Sequence, residues 1–430
     1  MRALVFFLFA ALLVWGQFQR TYTDSERYGH YSDLMPSDWK ATNVWLAAAD
    51  CALERGVWLA VCEQGKLVPM SERAIADDPG HALLLALWSV TTRRHADLID
   101  VARLNTLTDT LGLLTLAGLM FALRAYIASI VLLWKGPIEY LGWMGTSPHW
   151  AYVGLVSLAA VLPMALAARE TGLLSRRAAN LWIAAGVVFL SVATLMRESI
   201  GMMGLMVTAA VVIVFLARRF RPAPLLLVGL LAVLAFTTPR WVVMARDAAF
   251  DMQKAERLAT HGLSHTLYLG LGFVENKWGI RYDDDYGEEV AAKAGVVWCS
   301  PEYFRLMWKL YLERWAEDPV EVARIYVAKA WMLLGTPTLY PGPPFGVVLA
   351  IALAHFLLAT AFGAWRRLDF RQGQVIEGVA VAFAGLFLAQ AMAALPSHNY
   401  AMPVNAFVLV LLGVIVEFFA RAALLIRRAF

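Results

Sequence analysis

Two carboxylates lie in the polar segment that directly follows the first apolar run of the chain. Asp24 and Glu26 come shortly after Gly16, where that run ends. If the run spans a membrane, both residues lie near its surface, where a carboxylate can act as a general base and take a proton from a hydroxyl group. A solvated polar turn is the other explanation for either residue. Further acidic residues of the same segment are Asp33, Asp38, Asp77 and Asp78.

Charged residues also lie at the ends of later apolar runs. Arg197 and Glu198 join two such runs, and Arg240 follows a third. A charged residue at membrane depth marks a functional site by default, and an arginine keeps its charge and can bind phosphate in bidentate geometry. The alternatives are a guanidinium that snorkels to the interface and an arginine–glutamate pair that satisfies itself. We take all three residues as candidate substrate-binding residues.

Histidine and acidic residues recur in two further polar segments. His265 precedes the aspartates at 283–285, and we expect His265, Asp283 and Asp285 to bind substrate. Hard cations favour carboxylate oxygens, so a divalent cation is the alternative. The spacing matches no known metal-binding loop, however, and we assign neither a metal site nor a cofactor. His398 and Tyr400, between the last two apolar runs, complete the candidate binding residues, although anchoring in an aromatic belt also explains Tyr400.

The elements that carry these residues are predicted to be membrane helices. The chain is 60% hydrophobic and 16% charged, with a mean hydropathy of +0.60, which is too apolar for a soluble protein of this length. Arginine clusters close every second apolar run: 169, 176 and 177, then 218, 219 and 221, then 366, 367 and 371, then 421, 427 and 428. By the positive-inside rule these clusters and both termini are cytoplasmic. We expect a multi-pass protein of the inner (plasma) membrane.

About ten spans account for this pattern. The apolar runs are 3–16, 108–123, 125–134, 150–168, 179–196, 199–216, 223–237, 344–365, 375–395 and 403–420. Only Arg124 separates the second run from the third, and counting both keeps every arginine cluster on one side. The predicted organisation is a first span (1–16), an extracytoplasmic loop (17–107), a bundle (108–238), a second extracytoplasmic loop (239–343) and C-terminal spans (344–430).

Both loops are expected to contain juxtamembrane helices. Helical spacing of apolar residues covers 43–59, and Pro79 favours a second helix start. In the second loop, 241–259 and 301–334 have amphipathic spacing, whereas the Gly-, aromatic- and acid-rich stretch 265–289 suits an irregular loop. Cys51 and Cys62 could form a disulfide in an oxidising compartment. The net charge of +4 follows from the arginine clusters, and we expect no nucleic-acid partner.

The order of several short motifs resembles the GT-C superfamily of polytopic membrane glycosyltransferases. Asp78-Pro79-Gly80-His81 is followed by LLLALWSV and then by Ala102-Arg103-Leu104-Asn105. Later come the arginine turn ATLMRESIG (193–201) and PSHNYAMP (396–403), which looks like the turn before the last span in that group. Together these motifs cover nearly the whole chain.

This resemblance implies an all-α membrane bundle that takes a sugar from a polyprenyl-phosphate donor and passes it to an extracytoplasmic lipid, glycan or protein acceptor. It further implies an acidic residue of the first outer loop as general base, here Asp24 or Glu26, and arginines that hold the lipid phosphate. Asn399 stands where the family has an arginine. A transporter or lipid flippase, and a non-catalytic scaffold with the same fold, are the alternatives.

Overall fold

The protein is built almost entirely from helices. The computed structural model describes residues 1–29, 40–73, 79–134, 147–252, 255–258, 260–337, 342–394 and 403–429. At 20–29, 40, 150 and 429 it describes the backbone only. The helices are α1 (Arg2–Gly29), α2 (Lys40–Arg55), α3 (Pro79–Thr92), α4 (Leu98–Ala122), α5 (Tyr126–Leu133), α6 (Tyr152–Glu170), α7 (Arg176–Met196), α8 (Glu198–Ala217), α9 (Pro222–Phe236), α10 (Thr238–Phe250), α11 (Gly262–Gly270), α12 (Asp284–Lys293), α13 (Pro301–Glu317), α14 (Pro319–Gly335), α15 (Phe345–Ala361), α16 (Ala364–Arg367), α17 (Arg371–Ala393) and α18 (Val404–Ala429).

Seven helices of the described part are long and apolar enough to cross a membrane: α1, α4, α6, α7, α8, α17 and α18. A bent pair, α9 and α10, meets at an angle of 48° and adds an eighth if the two form one span, and α15 is a shorter apolar helix. The chain is therefore a multi-pass helical bundle. The ten predicted apolar runs all contain helix, but α5 is only eight residues long and the run 344–365 is divided between α15 and α16. A count of about ten spans therefore stays a prediction.

The apolar stretch around Arg124 is a helical hairpin, as its arginine predicts. Arg124 has a φ of +64° and separates α4 from α5, which packs back against α1 and α4. The Arg421 guanidinium donates to the Arg124 carbonyl over 3.1 Å, and Glu417 accepts from the backbone N–H groups of Ile127 and Ala128 at the start of α5 over 2.8 and 3.3 Å. This end of the bundle, which carries the arginine clusters, is called the arginine end, and the opposite end the loop end.

The centre of the bundle is α6, which is buried along nearly all of its length. It lies close against α4, because Gly112 and Gly154 have no side chains between the two backbones. A Cβ on Gly112 would lie 2.1 Å from the Gly154 carbonyl oxygen, and a Cβ on Gly154 would lie 2.3 Å from that of Thr108. Small residues at such crossings are what lets membrane helices pack closely.

The first loop contains the two helices expected from the sequence, α2 and α3, and a β-hairpin that the all-α prediction lacked. Strands Ala60–Glu63 and Lys66–Pro69 pair antiparallel around Gln64 and Gly65, which both have positive φ, as a two-residue hairpin turn requires. Cys51 and Cys62 form a disulfide between α2 and the first strand. α1 also continues beyond its apolar run, and α4 begins before its own.

The second loop is more regular than predicted. The stretch 265–289, expected to be irregular, contains the end of α11 and the start of α12, and the amphipathic stretch 301–334 is two helices instead of one. Asp318 separates them, and its side chain caps α14 by accepting from the N–H groups of Val320 and Glu321. The helix expected over 241–259 ends at Phe250. Aromatic and aliphatic side chains of α11 to α14 form a separate core.

Candidate functional site

A single residue, Arg197, joins α7 to α8 at the loop end of the bundle. Arg197 is extended (φ −160°), and its carbonyl accepts from the N–H groups of Ile200 and Gly201, both over 3.1 Å. A Cβ on Gly201 would lie 2.1 Å from Thr194 Oγ1, so only glycine lets α8 start this close to α7. The turn leaves Arg197 and Glu198 half-buried.

The start of α3 packs directly onto this turn. A Cβ on Gly80 would lie 2.7 Å from the carbonyl carbon and oxygen of Leu195, so the absence of a side chain there brings the next residue, His81, close to Arg197. The imidazole of His81 is fully buried and stacks on the Trp45 indole at 4.3 Å. Its Nε2 lies 3.0 Å from Asn105 Oδ1.

α4 and the 3-10 turn at Pro148–Ala151 supply the other side of the site. Asn105 on α4 donates from Nδ2 to the Ser147 carbonyl over 3.0 Å. His149 lies against Tyr152 with ring centroids 4.9 Å apart, and the Arg197 guanidinium lies over the Tyr152 ring at 5.5 Å. The Gly112–Gly154 crossing makes this meeting of α4 and α6 possible. These residues, His81, Asn105, His149, Tyr152 and Arg197, are called the Arg197 cluster.

Both histidines of the cluster are neutral at physiological pH. Burial, opposed by the Asn105 hydrogen bond and aided by the charge of Arg197, lowers the pKa of His81 to about 4. Burial and the charge of Arg197 lower the pKa of His149 to about 3. Since Asn105 Oδ1 can only accept, His81 donates from Nε2, and its Nδ1 is left as an acceptor. Within the described residues this buried atom has no hydrogen-bond partner.

A buried carboxylate lies one helical turn further into the bundle. Asp109 is 1% exposed, and its Oδ2 accepts from Gln17 Nε2 on α1 over 3.1 Å. An acidic residue at this depth is a functional-site hypothesis by default. We did not predict Asp109 as a site residue, although a lone acid at the edge of the apolar run 108–123 is a signal that the sequence contains.

The predicted catalytic residues Asp24 and Glu26 lie on the last turns of α1, where only the backbone is described. A helix advances about 100° per residue. Position 24 therefore shares the face of Gln17 to within about 20°, and this face packs on α4, whereas position 26 lies on the opposite face. The backbone thus favours Asp24 over Glu26 as a neighbour of α4.

Of the predicted binding residues, Arg197 and Glu198 lie in or beside the cluster. Arg240 is exposed on the first turn of α10, and its side chain has no hydrogen bond or ion pair with another described residue. His398 and Tyr400 lie outside the described residues, as does Asn399. His81, Asn105 and His149 were not predicted as site residues, because their role depends on close helix approaches that hydropathy does not reveal.

His265 lies apart from this cluster, in the core of the second loop. Its Nδ1 bonds to the Tyr303 hydroxyl over 2.8 Å, and its Nε2 lies 3.5 Å from Asp284, the middle aspartate of the three. Asp283 caps α12 by accepting from the Tyr286 N–H, and Asp285 is exposed. His265 is thus brought together with Asp284 and not with the two aspartates that were predicted as binding residues.

His261 is the other partner of Asp284, with its Nε2 3.3 Å from Oδ2. Partial burial raises the pKa of Asp284, but hydrogen bonds from His261 and His265 lower it further, so it lies well below its usual range. These three side chains are the described residues that could hold a metal ion. The spacing of His261 and His265, one helical turn apart, is the signal for this group that the sequence contains.

No protein-family model, no curated protein and no solved structure matches this chain.

Proposed function

We propose that this chain is a membrane glycosyltransferase of the GT-C type, which moves a sugar from a polyprenyl-phosphate donor to an extracytoplasmic lipid, glycan or protein acceptor. The observation that supports it most is the Arg197 cluster. A half-buried guanidinium lies at the loop end of the bundle among aromatic rings and neutral imidazoles. Such surroundings strengthen the attraction between a guanidinium and a phosphate, because the local dielectric constant is low.

We infer that the lipid part of the donor lies along a shallow, open apolar groove on the surface of α1 beside α4. The groove has a volume of about 530 Å3 and runs along the two helices that also carry Gln17 and Asp109. Its lining is entirely apolar: Phe7, Ala10, Ala11, Val14, Trp15, Phe18 and Leu114. A polyprenyl chain in this groove could have its phosphate at the loop end of the bundle.

In the proposed reaction the acceptor oxygen attacks the anomeric carbon of the donor sugar. The bond from that carbon to the phosphate oxygen breaks, and polyprenyl phosphate leaves with the bonding electrons. Asp24 takes the acceptor proton, which a positioned carboxylate can do. Arg197 stabilises the departing phosphate.

The same proposal sets the orientation of the protein. The Cys51–Cys62 disulfide belongs to the first loop, and disulfides persist in oxidising compartments outside the cytoplasm. The arginine clusters lie at the other end and favour the cytoplasm. We infer an inner-membrane protein with both termini cytoplasmic.

The two candidate bases give a matched test of catalysis. Asp24→Asn should reduce the release of free polyprenyl phosphate from a panel of polyprenyl-phosphate monosaccharides by about 100-fold to 10,000-fold. Glu26→Gln, which lies on the opposite face of α1, should keep the wild-type rate. Mass spectrometry of the lipid fraction measures the release of polyprenyl phosphate by both variants. Equal rates in wild type and Asp24→Asn would remove Asp24 as the base.

A transporter is the second candidate, favoured by one buried pair. His355 Nδ1 of α15 lies 2.9 Å from Oε1 of Glu377 on α17, whose side chain is fully buried, and ionisable residues inside a bundle often mark transport pathways. Glu377→Gln distinguishes the two functions. The variant should turn over the sugar donor at the wild-type rate if the protein is a glycosyltransferase. If the protein is a proton-coupled transporter, the variant should lose uptake of the transported substrate.

A further inference from the structure

Three side chains of the second loop direct their ligand atoms at one point. His261 precedes α11, His265 lies on its first turns, and Asp284 begins α12. One nitrogen from each histidine and one carboxylate oxygen lie within 4.8 Å of one another. His265 is nearly buried, His261 is partly exposed, and Asp284 is more than half exposed, so the point they share is open to solvent on one side.

The Asp284 carboxylate lies between the two imidazoles and faces each of them with a different oxygen. The Nε2 atom of His261 lies 3.3 Å from Asp284 Oδ2, and the Nε2 atom of His265 lies 3.5 Å from Asp284 Oδ1. Charge-assisted hydrogen bonds between N–H and carboxylate groups are shorter, about 2.7–2.9 Å. In a tetrahedron with metal–ligand bonds of about 2.0–2.1 Å, neighbouring ligands lie about 3.3–3.4 Å apart.

The orientation of His265 has a separate cause. Tyr303, fully buried on α13, bonds to Nδ1 of this imidazole over 2.8 Å and leaves Nε2 to face Asp284. Metal-binding histidines are held in this way by a partner on the other ring nitrogen. His261 reaches the same point because it lies one helical turn before His265.

We propose that His261, His265 and Asp284 bind a zinc ion, with a fourth coordination position open to solvent. Two imidazoles and one carboxylate are ligands that Zn2+ accepts, and Ca2+ and Mg2+ prefer sites made of oxygen atoms alone. Three protein ligands and one free position are typical of zinc sites that hold a water molecule or a substrate group. This site is independent of the Arg197 cluster and of the proposed sugar transfer.

Metal counting on the full-length protein tests the site. The protein is purified in detergent without a polyhistidine tag, stripped with EDTA and titrated with Zn2+, and bound metal is measured by mass spectrometry after gel filtration. We expect one Zn2+ per chain in the wild type. His261→Gln and Asp284→Asn should each weaken binding by more than about 100-fold, and Tyr303→Phe by about 10-fold to 100-fold.

Asp285→Asn is the matched control, because Asp285 is the exposed neighbour of Asp284 and should leave binding unchanged. Co2+ gives a second measurement, since a four-coordinate site produces intense visible absorption that Asp284→Asn should abolish. Absence of stoichiometric Zn2+ in the folded wild type would overturn the proposal. Equal losses in Asp284→Asn and Asp285→Asn would also overturn it.

Discussion

At the residue scale, the protein places two uncharged histidines beside a permanent charge. His81 and His149 are buried next to Arg197, and both have a pKa well below the ordinary value of 6.5. Arg197 and Glu198 could be predicted because charged residues between apolar runs are conspicuous in a sequence. His81 could not, because its role depends on the contact of Gly80 with the Leu195 carbonyl, which no local pattern encodes.

The lowered histidine pKa values predict acid sensitivity. Between pH 6.5 and about 4 the unfolded chain binds a proton at His81 that the native protein does not bind. The free energy of unfolding therefore falls as the pH falls through this window. The loss is at most about 1.4 kcal/mol per pH unit for each such histidine. Thermal unfolding in detergent from pH 7.5 to pH 4.5 measures this change in stability.

His81→Gln should make stability depend less on pH. The exposed His95, whose pKa is raised by Asp50, provides the control His95→Gln, which should not do so. Equal slopes in wild type and His81→Gln would contradict the account.

At the element scale, glycines decide which helix ends meet. The sequence predicted the membrane helices, the start of α3 and the break at Arg124, because hydropathy, proline and charge report on such features directly. The β-hairpin and the division between α13 and α14 were missed. Their determinants are a two-residue turn at Gln64 and Gly65 and a capping Asp318, which are short signals within otherwise helical patterns.

Gly80→Ala tests the helix contact that positions His81. The added Cβ would meet the Leu195 carbonyl at 2.7 Å, and overpacking of this kind costs about 1–3 kcal/mol. We expect a lower unfolding temperature and weaker binding of polyprenyl phosphate. Gly385→Ala on α17 is the control, because no atom lies within 4 Å of its added Cβ and alanine is the better helix former. If both variants behaved alike, the close approach would have no role in the site.

At the scale of the whole molecule, the bundle separates two chemically different ends. Arginines gather at one end, and the disulfide, the Arg197 cluster and the core of the second loop lie at the other. The two loops also touch, since Glu72 accepts from the backbone N–H of Glu256 over 2.8 Å. This contact joins residues far apart in the chain and could not be predicted from sequence.

Cysteine labelling tests the orientation of these ends. A membrane-impermeant maleimide should modify Lys66→Cys, at the exposed hairpin of the first loop, in intact cells. It should spare Ser175→Cys, which lies directly before α7 at the arginine end and caps that helix. The native background is low, because Cys51 and Cys62 are paired and Cys299 is buried. Labelling of position 175 in intact cells would reverse the proposed topology.

The most direct test of the central claim is the affinity of Arg197→Lys for a polyprenyl phosphate. Lysine keeps the charge but cannot bind phosphate in the bidentate geometry of a guanidinium. We predict that the dissociation constant of the detergent-purified variant rises by about tenfold or more, a loss of about 1.4 kcal/mol. The exposed Arg240→Lys should change it much less. Full wild-type affinity in Arg197→Lys would contradict the account, because Arg197 would then be an interfacial anchor and not the phosphate ligand.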